Sequence, residues 1–374
     1  MFVSKTNIRQ RTLTTSFSTN AGFVFLIALL FTGSAGVSEC CAQSGRVDVL
    51  DPHMLPLGDG KVSTQPMRGY VYSCRTQFRG GGAQHAGGWI HGSTWDATKK
   101  IWVEGEVAWP KAAFTIASAN GGRRIEGNGL PVNQTTGIFP VRQDDPAYQI
   151  DRNPNHIQAQ QIAFSLPLLP ALGVRPGCVP MGMIGVALSG VALFNALDDG
   201  GRDAVAHEVQ DRCSGHPQMR GEYHYHGPSP CIPGATANNT LIGYALDGFG
   251  IYSMYDENGK ELTNADLDEC HGRVSRIVWD GKEVSMYHYG LTREYPYTVG
   301  CFRGTSLRVQ GHLSGDSPPG EGRDRMRHPP AEAVAACTGL SFGSRCKFIS
   351  PRGDAITGAC RSPAGELACI PERP

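Results

Sequence analysis

The residues best suited to chemistry sit in one short stretch, "GEYHYHGPSPC", residues 221 to 231. In an extended strand successive side chains point to opposite faces, so His224 and His226 share one face while Tyr223 and Tyr225 share the other. One face is then an aromatic wall and the other a chelator, with the two imidazoles about 6 to 7 Å apart at their Cα atoms. A metal ion needs more donors than two. Candidates nearby are His207 and Asp211 in "AVAHEVQD", His216 in "CSGHPQ", His271 in "DECHG" and His288 in "MYHYG". Imidazole-rich ligation without free thiolates suits zinc or copper.

The chain repeats itself around this stretch. "IGVALSGVALFNALD" from Ile184 matches "IGYALDGFGIYSMYD" from Ile242 in register over 15 positions. Each run then leads to a D-x-C-x-G element, "DRCSG" at Asp211 or "DECHG" at Asp268, and to "YHYH" at Tyr223 or "YHYG" at Tyr287. Within each copy "LSGV" or "LDGF" reads as a two-residue hairpin turn, with Ser189 and Asp247 at the turn. "GRDAVAHEVQDRCSG" reads as one short helix with Asp203 at its N-cap and with His207 and Asp211 one turn apart on one face. "LTNADLDECHG" is its shorter counterpart. Two such hairpin–helix–strand units related by a pseudo-twofold axis could bring their Tyr-His strands together, so that His288 completes the pair His224 and His226.

These marks, namely "GRDAVAHEVQDRC", "GEYHYHGPSPC", "LDECHGR" and "MYHYGLTREYPYTVGCFRG", resemble those of the YHYH-domain proteins, exported bacterial proteins named for the tetrapeptide. The resemblance runs from about residue 65 to the end. It implies export and a suspicion of metal binding that rests on the same histidines, and it carries no enzymatic activity with it. Gly290 stands where the second tetrapeptide would end in histidine, which removes one donor from any symmetric four-histidine site.

The rest of the chain supplies the frame. Lys and Arg number 34, as do Asp and Glu, so no net field holds a nucleic-acid backbone or an anionic membrane. Gly at 48 and Pro at 25 favour short strands and turns over long helices. The fold class expected is mainly β with a few short helices: duplicated hairpin-helix-strand units forming a disulfide-stapled domain. Near the N-terminus, "AGFVFLIALLF" follows Lys5, Arg9 and Arg11 and precedes small residues. That is an export signal over residues 1–36, with cleavage as late as 42. Its apolar core is too short for a lasting span of a bilayer roughly 30 Å thick. A secreted or periplasmic location follows.

Of 12 cysteines, Cys40 and Cys41 fall beside the signal, leaving ten. In an oxidising compartment an even set reads as disulfides. Bracketing of the Tyr-His strands gives Cys213–Cys231 and Cys270–Cys301, leaving Cys74 with Cys178. A scheme of Cys178–Cys213 with Cys231–Cys270 obeys the duplication equally well. Cys337, Cys346, Cys360 and Cys369 can satisfy one another in a Cys-rich β-hairpin module at 331–374, with "SPRGDAI" as its turn. Ahead of it lie an N-terminal β region at 60–150, the duplicated domain at 151–305 (copies 178–230 and 231–301) and a polar linker at 306–330. Two functions of different class fit these features: a metal-binding protein, whether carrier or metalloenzyme, or a metal-free, disulfide-stapled binding module.

Overall fold

The computed structural model describes residues 50–78, 80–119, 121–307, 331–349, 355–361 and 367–371. The export signal, Cys40 and Cys41, most of the linker and residues 350–354 of the "SPRGDAI" turn lie outside the described residues. The chain is mainly β, and among the described residues no helix is long and apolar enough to cross a membrane.

The duplication builds one eight-stranded sheet. Its strands in chain order are β1 (Met183–Ala187), β2 (Ala192–Phe194), β3 (Gly215–Pro217), β4 (Tyr223–Tyr225), β5 (Leu241–Ala245), β6 (Gly250–Tyr252), β7 (Gly272–Trp279) and β8 (Lys282–Gly290). Across the sheet they run β3-β4-β2-β1-β5-β6-β8-β7, the same order read outward from the centre in both directions. The Tyr-His strand β4 pairs parallel with β2, Leu193 opposite Tyr225, and β8 pairs parallel with β6, Ile251 opposite Tyr289.

The two copies meet where β1 and β5 pair antiparallel, with Gly185 opposite Ala245, Val186 opposite Tyr244 and Ala187 opposite Gly243. This register is self-complementary, as a twofold contact requires. A Cβ on Gly185 would come within 2.7 Å of the Tyr244 carbonyl oxygen, and one on Gly243 within 2.5 Å of that of Val186. Neither position tolerates a side chain.

The hairpins depart slightly from expectation. Ala187 pairs with Val191 and Ala245 with Phe249, so the loops are three residues long, not two. Gly190 at φ 82° and Gly248 at φ 92° supply the left-handed residue that such loops need. The helix departs more. α1 spans only Ala204–His207, capped by Asp203 as expected, and Glu208 is already extended at ψ 143°. The chain leaves the helix because residues 210 and 211 pair with the segment at Val103, whose N–H donates to the Gln210 carbonyl. His207 and Asp211 therefore do not share a helical face. The second copy has a 3-10 turn, Asn264–Asp266, with a Thr263/Asp266 capping box.

Ahead of the sheet, Phe114–Ala119, Gly122–Gly127 and Ile162–Pro167 form an antiparallel layer, and Ile125, Ile162, Phe164 and Leu166 join the main core. A second cluster around Trp89, Trp95 and Val103 packs under α1 through Ala206 and Val209. The disulfides are Cys74–Cys178, Cys213–Cys231, Cys270–Cys301, Cys337–Cys360 and Cys346–Cys369, so the scheme linking Cys178 to Cys213 is not the one adopted. The last two lock a three-stranded sheet, Arg345–Ile349, Ala355–Arg361 and Ala368–Pro371, whose buried cluster shares no residue with the main core. A chain ending at residue 307 is therefore expected to keep the cooperative unfolding of the parent, followed by near-UV circular dichroism in guanidinium; loss of cooperativity would place the tail in the main core.

Candidate metal centre

Local register assembles three histidines. β3 and β4 are antiparallel with His216 directly opposite His224, and His226 lies on the same face of β4 two residues on. Their ligand atoms all lie within 4.8 Å of one another. All three side chains are buried, at 3 %, 2 % and 4 % exposure for His216, His224 and His226. Phe194 of β2 stacks on the His224 ring at 3.8 Å between centroids and fixes its plane.

The hydrogen bonds fix the protons. His224 Nδ1 lies 3.0 Å from the Glu222 carbonyl oxygen, and His226 Nδ1 contacts that of Asn195. A carbonyl only accepts, so both Nδ1 atoms carry hydrogen and both Nε2 atoms present lone pairs. Those two lone pairs face each other at 3.0 Å, a repulsive arrangement unless a cation lies between them. His216 Nε2 is buried without a hydrogen-bond partner and stands 3.5 Å from Glu208 Oε2, which is equally without one. Glu208 Oε2 is also 3.4 Å from His226 Nε2. His216 Nδ1 lies 3.4 Å from the Asn153 side-chain nitrogen. Carbonyl-anchored imidazoles aimed at one point are the form a metal-binding histidine takes.

Burial sets the electrostatics. It pushes the His216 and His224 imidazoles well below their usual range, with the neighbouring histidines adding to it, and brings His226 down to about 4. Burial, reinforced by Asp198 and Asp151, pushes the Glu208 carboxyl well above the carboxylate range. The imidazoles are thus already in the neutral form that a metal ligand requires, and a divalent cation would offset the burial that disfavours the Glu208 carboxylate.

Other residues expected at the site are elsewhere. β4 and β8 are the second and seventh strands of eight, so His288 is five strand spacings, about 24 Å, from the trio. The twofold axis passes between β1 and β5 and sends the Tyr-His strands outward. His288 donates from Nδ1 to the Met286 carbonyl and packs on Tyr252. His207 pairs with Asp59 at 2.9 Å. His271, at φ 72°, has Nε2 3.0 Å from the Thr292 hydroxyl. Asp211 accepts the Tyr223 hydroxyl on both oxygens, at 2.9 and 2.8 Å, and the N–H groups of Gly137, Cys213 and Gly215. Asp268 repeats most of this with Tyr287, Cys270 and Gly272. Asp247 is more than a turn residue, because it accepts the Tyr289 hydroxyl at 2.6 Å and the N–H groups of Arg303 and Gly304. The tyrosines are the packing wall, paired edge to face at 5.7 Å for Tyr223 and Tyr225 and 5.5 Å for Tyr287 and Tyr289. Glu208 was missed. Its only signal is its place between two candidates in "AHEVQD", and the helix expected there gives it no link to the histidines of the strands.

Tyr223→Phe removes a hydrogen bond to a buried carboxylate and is expected to cost about 2 kcal/mol, with Asp211→Ala costing about 3 kcal/mol or more because three N–H groups also lose their acceptor. Urea unfolding measures both; an Asp211→Ala protein as stable as its parent would contradict the assigned role.

The family model described as "YHYH protein" matches residues 163–264, which takes in the first copy, its three histidines and the start of the second copy. No curated protein and no solved structure matches the chain. The trio stands inside the matched span, with His224 and His226 on the tetrapeptide that gives the family its description and His216 on the strand beside it, and the chain contains a YHYH domain over residues 163–264.

Proposed function

We propose that this protein, a disulfide-stapled YHYH-domain chain, binds one zinc or copper ion through His216, His224 and His226, and that it works outside the cytoplasm. The observation that carries the reading is the pair of buried imidazole lone pairs, His224 Nε2 and His226 Nε2, held face to face at 3.0 Å by carbonyl-anchored Nδ1 atoms. Burying such a pair without a cation costs free energy. Three neutral imidazoles and no free thiolate suit Zn(II) or Cu(II). The five disulfides support an oxidising compartment, and the basic-then-apolar N-terminus supports export to it.

Calorimetric titration of the purified chain with Zn(II) and with Cu(II) tests the proposal. One ion per chain is expected for the wild type and for His288→Ala, with affinity reduced at least about 100-fold in His216→Ala, His224→Ala and His226→Ala. Equal binding by wild type and the three trio variants would end it, as would a wild type that takes up neither ion.

A further inference from the structure

We infer that Glu208 is the fourth ligand of the ion, and that the closed centre so formed is a structural staple of the first copy, where the second copy uses leucines. This rests on the metal reading above. With bonds of about 2.0–2.1 Å, neighbouring ligand atoms of a tetrahedral ion lie about 3.3–3.4 Å apart. Glu208 Oε2 stands 3.4 Å from His226 Nε2 and 3.5 Å from His216 Nε2, and the remaining measured edge, His224 to His226, is 3.0 Å. The carboxylate oxygen thus stands beside two of the three histidine nitrogens, placed to take the corner that a reactive centre would leave to water or substrate.

The second copy is an internal control. Cross-strand register places Arg273 opposite His288 as His216 stands opposite His224, and Gly290 takes the position of His226. Counting back three residues from the shared aspartate gives Glu208 before Asp211 but Ala265 before Asp268. Three donors, Glu208 among them, are absent together while the strands persist, which is how members of one coordination set behave. The space is filled instead: a Cβ at Gly290 would meet Leu262 at 3.1 Å and Leu267 at 3.3 Å, both buried. Arg273 turns to Glu257 at 2.8 Å. One copy closes the gap between its Tyr-His strand and the preceding loop with apolar side chains, and the other with an ion.

The full chain loaded with Co(II) tests the coordination, and hydrogen exchange before and after chelation of the Zn(II) form tests the role. Expected are the intense visible bands of a four-coordinate tetrahedral Co(II) ion, weakened in Glu208→Gln to those of a water-bound five- or six-coordinate ion. Zn(II) affinity should fall about 100-fold in the same variant. Stripping zinc from the wild type should raise exchange at least tenfold in peptides covering 213–231 and leave 270–290 unchanged, with zinc restoring protection. A five- or six-coordinate spectrum in the wild type would overturn Glu208 as ligand; bound zinc whose removal changes both copies equally would overturn the staple. A wild type that binds neither zinc nor cobalt sinks the metal reading itself, and this inference with it.

Discussion

The antiparallel contact between β1 and β5 governs the rest of the molecule. Gly185 and Gly243 let two backbones approach so closely that no side chain fits at either position, and the register they permit maps onto itself under a twofold rotation. Once that contact forms, each copy extends outward from it, and the two Tyr-His strands are carried to opposite ends of one sheet. The single core of the sheet and the separation of His288 from the trio are consequences of the same pairing.

Within each half the scaffold is held by polar anchors that the duplication preserved. Asp211 and Asp268 each gather the N–H groups of their loop and the hydroxyl of the first tyrosine of their strand. Buried carboxylates are tolerated there because their oxygens are supplied with donors. Asp203 does the same between the copies' connections, capping α1 while accepting the Tyr297 hydroxyl and the Gly58 N–H. These anchors leave the histidine face of the strand free to diverge without loss of the fold.

That divergence shows how one backbone accepts two solutions to a packing problem. Around His226 the polar side chains of His216, His224 and Glu208 gather, whereas the space at the equivalent Gly290 is bounded by Leu262 and Leu267. A buried polar cluster is costly when unsatisfied and rigid when satisfied, while an apolar plug is indifferent to ions.

The sequence by itself determined what depends on near neighbours. Alternation along a strand put His224 and His226 on one face and the tyrosines on the other, the repeat announced two equivalent units, Asp203 marked the cap, and Gly190 and Gly248 marked the turns. These are local properties, set by side-chain geometry over a few residues. Tertiary structure decided which strands became neighbours. His216 became a partner of His224 only because β3 folds back beside β4, and Glu208 reached the trio only because pairing at Val103 drew the chain out of the helix after one turn. His288 has the same local environment as His224 in sequence, yet the position of the twofold axis removes it from the site. Strand order and axis position are non-local pairings, and no periodicity within a segment encodes them.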